Sequence, residues 1–271
     1  VQLTTVQEIT TTYRHIFLSP HLDDAVYSCG GTLGVQVSSG LRPLVISIFT
    51  GAPSNTQTLS PLAQQVMNGM GISDSTALMD ARKKEDSAAL DYLQCDYLWL
   101  DYPDAIFRGN PPSYTTLKQV IGGEVHQTDL DLDKQLAQLF LDVQSRLPDA
   151  TWYAPLGIGR HVDHQVICSA ADRLVQHGAK VYFYEDFPYV ARQQDALEKR
   201  LNELGNAYEF SLVEMSEMLP LRQEAAAIYA SQVISNFGSQ DTMNRAISEY
   251  SHSIRPVETV YLERYWTART K

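Results

Sequence analysis

The sequence predicts an α/β fold: a single domain over residues 1–271, with a mostly parallel sheet flanked by helices and long substrate-facing loops. Two observations predict it. Short apolar runs of strand length recur along the chain, and stretches with helical spacing fill the intervals between them, the βαβ pattern of a parallel sheet.

The first run is His15-Ile-Phe-Leu-Ser19, read as a buried strand. After Pro20-His21-Leu22-Asp23-Asp24 comes a small-residue segment with Gly30, Gly31 and Gly34, suited to a helix packed closely on a sheet. Ser39-Gly40 turns the chain into a second strand, Pro43 to Phe49. Residues 51–75 are rich in Gly, Ser, Asn and Gln and read as a long loop with a short helix at 61–70. Asp80 to Leu93 groups Ala81, Ala88, Ala89, Tyr92 and Leu93 towards one side of a helix, and Asp96 to Leu100 reads as a strand.

Residues 102–130 carry Pro111-Pro112 and Gly122-Gly123 and form another excursion. A helix at 131–146, a strand at Thr151 to Ala154, a loop to His164, a helix at 165–177 and a strand at Val181 to Tyr184 complete the regular part. The last quarter is expected to hold helices at 192–204 and from Pro220 to Gln232, and a closing strand near Thr259 to Glu263.

Of the 271 residues 44% are hydrophobic and 20% charged, enough for a sizeable core. Acidic residues outnumber basic ones 32 to 21, and the net charge of −11 argues against nucleic acid and an anionic membrane, since both are recognised through Lys and Arg. No run approaches the roughly 18–20 apolar residues of a membrane span. The N-terminus lacks the basic start and apolar core of a secretory signal, although a removed leader stays open. Cys29, Cys95 and Cys168 form no CxxC pair and read as reduced, buried thiols of a cytoplasmic protein.

Two segments place metal-type ligands just past strand ends: Ser19-Pro-His21-Leu-Asp23-Asp24, and Gly157-Ile-Gly-Arg-His161-Val-Asp163-His164. In an open parallel sheet, ligands bind outside the carboxyl ends of strands, so the two can converge on one crevice. His21, Asp24 and His164 offer two imidazoles and a carboxylate, a set that suits a catalytic zinc with a fourth position for water. Asp23 can then face that water as general base, His161 can donate to a developing oxyanion or the leaving amine, and Asp163 can orient an imidazole. The same ligands accept iron(II) or cobalt. The competing reading is structural: Asp23 or Asp24 as a helix cap, and His161 to His164 as a polar loop.

The stretches SPHLDDAVYSCGGTL and PLGIGRHVDHQVICSAA resemble the two signature regions, P-H-x-D-D and H-x-D-H, of the PIG-L (LmbE-like) deacetylases. The resemblance spans roughly residues 14–175. It implies a Rossmann-like, zinc-dependent enzyme acting on N-acetylglucosamine units of a small-molecule or glycolipid substrate. His21, Asp24 and His164 would bind zinc, Asp23 would be the base, and His161 would serve the oxyanion with Asp163 supporting it. Arg82 and Glu85 are similar to the family's R-x-x-E helix, and Leu100 to Asp104 to its L-x-x-P-D segment, which would bring Arg82 and Asp104 to the sugar. For Arg82 the alternative is a surface salt bridge to Glu85 or Asp86, and for Asp104 a turn after Pro103. Leu22 and Val162 depart from the proline the family often has there.

The resulting expectation is a hydrolase that removes an acetyl group from an amino-sugar conjugate. The rivals are a metal-dependent amidase of another amide, such as a thiol conjugate, and a non-catalytic sugar-binding protein. A dinucleotide-binding reading of Gly30-Gly31-Thr-Leu-Gly34 fails, because the glycines do not follow G-x-G-x-x-G and lie inside the helix. Tyr102, Phe107 and Tyr114 are guesses for sugar stacking, with packing the commoner role. The sequence leaves the oligomeric state open.

Overall fold

A computed structural model describes residues 1–54, 57–205, 208–257 and 259–268. The strands are β1 (Gln2–Leu3), β2 (His15–Ser19), β3 (Leu44–Ser47), β4 (Asp96–Trp99), β5 (Thr151–Pro155), β6 (Lys180–Tyr184), β7 (Tyr208–Glu214) and β8 (Leu262–Ala268). They form one eight-stranded sheet in the order β1-β4-β3-β2-β5-β6-β8-β7. β1 through β6 pair in parallel, and β8 and β7 extend the sheet antiparallel on the β6 side.

The helices are α1 (Asp24–Ser38), α2 (Pro61–Gly69), α3 (Ser75–Tyr92), α4 (Leu117–Val120), α5 (Leu132–Arg146), α6 (Val162–Gln176), α7 (Tyr189–Arg192), α8 (Ala196–Leu204), α9 (Leu219–Ala227), α10 (Ala230–Phe237) and α11 (Gln240–Ser253). The near-continuous apolar runs of the central strands make sense in this setting. Ile16, Phe17, Leu18, Leu44, Val45, Ile46 and Trp152 are all essentially inaccessible, as parallel strands covered on both faces require. Each such side chain contributes about 1.5–3 kcal/mol of burial.

One feature of the strand order positions the site. The chain leaves β2 towards β3 and β4 on one side, and resumes with β5 and β6 on the other, so β2 and β5 are neighbours at the reversal. Their register pairs His15 with Thr151, Ile16 with Trp152 and Phe17 with Tyr153. The carboxyl ends of two strands far apart in sequence therefore open side by side into one crevice.

The strands expected from sequence in the first 184 residues are present. The C-terminal quarter differs. β7 and α11 were not expected, and the closing strand runs over Leu262–Ala268 instead of 259–263. The helix expected from Pro220 to Gln232 breaks at Tyr229 (φ −76°, ψ 58°) into α9 and α10. That break lets the Tyr229 hydroxyl reach Asp86 of α3 at 2.7 Å, while Glu85 accepts the Ser231 backbone N–H (2.9 Å) and hydroxyl (2.6 Å). Long-range partners override the local helical preference of this Ala-rich stretch.

The small residues of α1 also do a different job from the one expected. A Cβ on Gly31 would lie 2.6 Å from Met215 Sδ, and one on Gly34 2.7 Å from Leu221 Cδ2. They make room for α9 and the segment before it, and Gly31 also for Glu263 of β8, whose carboxylate accepts its N–H at 2.8 Å. Cys29, Cys95 and Cys168 are free and buried. Among the described residues, no helix is long and apolar enough to cross a membrane.

Candidate metal centre and active site

Ser19 ends β2, and its hydroxyl accepts the Ala25 N–H at 3.0 Å, doing the work of a cap for the first turn of α1. Asp23 occupies the N-cap position yet makes no side-chain cap bond, so the capping explanation for this aspartate does not hold. Asp24 accepts the His21 backbone N–H at 2.8 Å, which folds the motif into a tight turn facing the crevice.

The second motif sits deeper in its helix than expected. α6 starts at Val162, so His164 lies in its first turn instead of in a loop. The N-cap is His161, whose Nδ1 accepts the Asp163 N–H at 3.2 Å. Histidine is not among the residues that usually cap, which hid the boundary.

These turns bring two imidazoles onto one carboxylate oxygen. Asp24 Oδ2 lies 3.1 Å from His21 Nδ1 and 3.2 Å from His164 Nε2. Each ring's other nitrogen meets a further carboxylate: His21 Nε2 is 2.9 Å from Asp163 Oδ2, and His164 Nδ1 is 2.6 Å from Asp186 Oδ1. His164 Nε2 is buried and forms no hydrogen bond of acceptable geometry. Ligands about 2.0–2.2 Å from a tetrahedral ion lie roughly 3.3–3.5 Å apart, close to the separations around Asp24. An imidazole whose outer nitrogen is held by a carboxylate is the usual arrangement of a metal ligand. The two separations from Asp24 suit a divalent ion, although among the described residues the groups whose ligand atoms all lie within 4.8 Å of one another do not include Asp24. His21, His161 and His164 bring ligand atoms within 4.8 Å of one another, as do His21, Asp104 and Asp163.

The electrostatics agree. Asp23, Asp24, Asp104, Asp163 and Asp186 are all buried here, against the buried guanidinium of Arg108 and the half-buried one of Arg82. Burial opposes charge on His21 and His164, but the surrounding carboxylates outweigh it. They raise His21 well above the usual imidazole range and His164 to about 9. Such an excess of acceptors is what a dication would balance. Asp24 moves the other way: burial opposes its charge, and His164 and His21 hold it well below the usual carboxylate range.

Asp23 and His161 differ from the rest. Burial raises the Asp23 carboxyl to about 6, partly offset by Arg82, whose Nη2 is 3.4 Å from Asp23 Oδ1. Burial and the neighbouring His21 hold His161 well below the usual range, hence neutral. Because its Nδ1 accepts a backbone N–H, the neutral ring carries its proton on Nε2 and is a donor there.

The remaining sequence expectations can be placed. Arg82 pairs with Asp23, not with Glu85 or Asp86. Asp104 takes the turn role, Oδ1 accepting the Ile106 N–H, and its Oδ2 lies 3.6 Å from His21 Nε2 on the wall of the crevice. The Asp163 carboxylate supports His21 rather than His161, a correction that follows from its direction of approach. Arg108 clamps Asp163 from behind, Nη1 to Oδ1 at 2.5 Å, and reaches Asp129 at 2.9 Å. Phe107 and Tyr114 are buried in packing, and none of the three guessed aromatics lines the crevice.

Sequence reasoning missed Asp186, Arg108, Tyr27 and Tyr189. Asp186 had a usable signal, since it lies just past the end of β6, beside β5. Tyr27 and Tyr189 line the crevice, and the Tyr189 ring meets His164 edge to face at 5.7 Å. No motif marked them.

The fold and the relatives of the chain define a hydrolase of the deacetylase class. The chain belongs to the PIG-L family, described as GlcNAc-PI de-N-acetylase, whose model matches residues 16–175. It is 29% identical over 236 residues to the 2'-N-acetylparomamine deacetylase of Niallia circulans, covering 83% of this chain and 82% of that one. The enzyme of the same name from Streptomyces fradiae is 26% identical over 233 residues, covering 84% and 76%. Among solved structures, a zinc-inhibited form of teicoplanin deacetylase Orf2 superposes with a TM-score of 0.78 at 27% identity, over 93% of this chain and 97% of that one.

Proposed function

We propose that residues 1–271 act as one zinc-dependent deacetylase unit, hydrolysing the acetamide of an N-acetylated amino sugar to amine and acetate. The observation that carries this reading is the convergence of His21 Nδ1 and His164 Nε2 on Asp24 Oδ2, each ring backed by its own carboxylate. His21, Asp24 and His164 would hold the ion; zinc suits this set, and iron(II) is the alternative. When bound, the metal supplies Lewis acidity and favours deprotonation of the attacking water.

The chain's own groups do the rest. Asp23, raised to about 6, is ionised at neutral pH yet basic enough to take the proton of water and pass it to the leaving nitrogen. Arg82 holds that carboxylate in place. His161 donates from Nε2 to the oxygen that gains charge as the carbonyl carbon becomes tetrahedral. Asp163 and Asp186 fix the two imidazoles, and Asp104 stands beside them where a sugar hydroxyl can reach it. The free, buried cysteines suit a reducing compartment such as the cytoplasm.

The relatives named for N-acetylparomamine and teicoplanin support an amino-sugar substrate. The test is acetate release from a panel of N-acetylglucosamine derivatives by zinc-loaded protein. Acetate from at least one member is expected, whereas acetate from none moves the reading to another amide.

A further inference from the structure

We infer that the amino-sugar substrate carries an apolar group, alkyl or aryl, seated in a trough that runs outward from the active site. This deepens the deacetylase reading and rests on it. The catalytic cavity holding His21, Asp23, Asp24 and His161 is small, about 200 Å³, below the roughly 300–1,000 Å³ of ordinary ligand clefts. A second cavity of about 490 Å³ adjoins it, and the two share Leu62, Val66, Met70, Leu117 and Ser235 as walls. A ligand anchored in the first cavity therefore has the second as its continuation.

The chemistry of the trough selects the occupant. Among the described residues, its lining contains no charged side chain; α2 supplies one wall and α10 the other. Leu117 is 59% exposed and Ile234 66% exposed, two large apolar side chains that line the trough and stand open to solvent. The α10 wall is fixed, since Glu85 of α3 holds Ser231 through both backbone and hydroxyl. A polycationic aminoglycoside would ask for carboxylates around the mouth. The acidic groups of the catalytic cavity lie on its buried floor, with Asp23 already paired to Arg82. The net charge of −11 works against an anionic membrane and favours a soluble conjugate as the source.

The test uses the zinc-loaded full chain with the methyl, butyl and hexyl glycosides of N-acetylglucosamine below their micelle thresholds, with 2'-N-acetylparomamine for comparison. Burial of a methylene sets a ceiling of about fourfold in kcat/KM per group, so a rise of about tenfold or more from methyl to hexyl is expected. Ile234→Asp should bring the hexyl-to-methyl ratio towards one, a ratio that a general loss of activity would not move. A flat series with acetate still released, an unaltered ratio in the variant, or turnover of the aminoglycoside above every alkyl glycoside would each overturn the inference and leave the deacetylase reading standing. Turnover only of a long-chain alkyl glycoside of N-acetylglucosamine added in neutral phosphatidylcholine vesicles would overturn the soluble source. Acetate from no substrate would overturn both readings.

Discussion

Asp186 Oδ1 lies 2.6 Å from His164 Nδ1, and its other oxygen accepts the Ile158 N–H at 2.9 Å. One carboxylate past the end of β6 thereby ties down both the loop after β5 and the imidazole that this loop delivers to the crevice. His164 consequently turns Nε2, and no other atom, towards Asp24.

Replacing Asp186 with Asn should leave the fold in place, because an amide oxygen can still serve the Ile158 N–H. It removes the charge that fixes the His164 tautomer. Metal affinity is expected to fall about 10–100-fold, as measured by competition with a chelator. Unchanged affinity would mean that Asp186 only secures the loop.

Gly159 has φ +84°, and a Cβ there would lie 2.6 Å from the Tyr189 ring. Gly159→Ala combines a left-handed backbone with a clash against the ring that packs on His164. A loss of about 1–3 kcal/mol in urea unfolding is expected, with a raised KM because Tyr189 lines the crevice. Wild-type stability in the variant would show that Tyr189 can move aside freely.

Asp86 sets a pH dependence outside the metal centre. Burial raises its carboxyl to about 7, against hydrogen bonds from Trp99 and Tyr229 that favour the charge. In the unfolded chain it titrates near 4. Between these values the folded state binds the extra proton, so this contribution to stability is complete below about pH 4 and is lost as pH rises through about 7. Asn at this position does not titrate. The stability of Asp86→Asn relative to wild type should therefore improve between pH 5 and pH 8, by no more than roughly 3 kcal/mol. A difference independent of pH would contradict the raised value.

The parallel half of the fold was legible because its strands are buried on both faces and read as bare apolar runs, as in His15 to Ser19. The gathering of His21, Asp23, Asp24, His161, Asp163 and His164 was legible because two dense motifs followed two such strands. Glu185-Asp186 followed a third, but two carboxylates without a histidine beside them gave a weaker signal. The C-terminal quarter hid itself for a different reason. β7 shows an exposed, mixed pattern, with Phe210 58% exposed, and the break at Tyr229 depends on Asp86, which lies 143 residues away in sequence. Which carboxylate would support which imidazole was likewise a matter of three-dimensional approach: Asp163 neighbours His161 in sequence but serves His21.

The central claim, a metal held by His21, Asp24 and His164 with Asp23 as the base, is tested most directly by one paired measurement on wild type, His164→Ala and Asp23→Asn. Metal content and acetate release from an N-acetylglucosamine derivative are read on the same preparations. The account predicts about one zinc per chain in wild type, little metal and no acetate in His164→Ala, and retained metal with a rate lowered by about 10²-fold or more in Asp23→Asn. Full metal content in His164→Ala, or near wild-type turnover in Asp23→Asn, would contradict it.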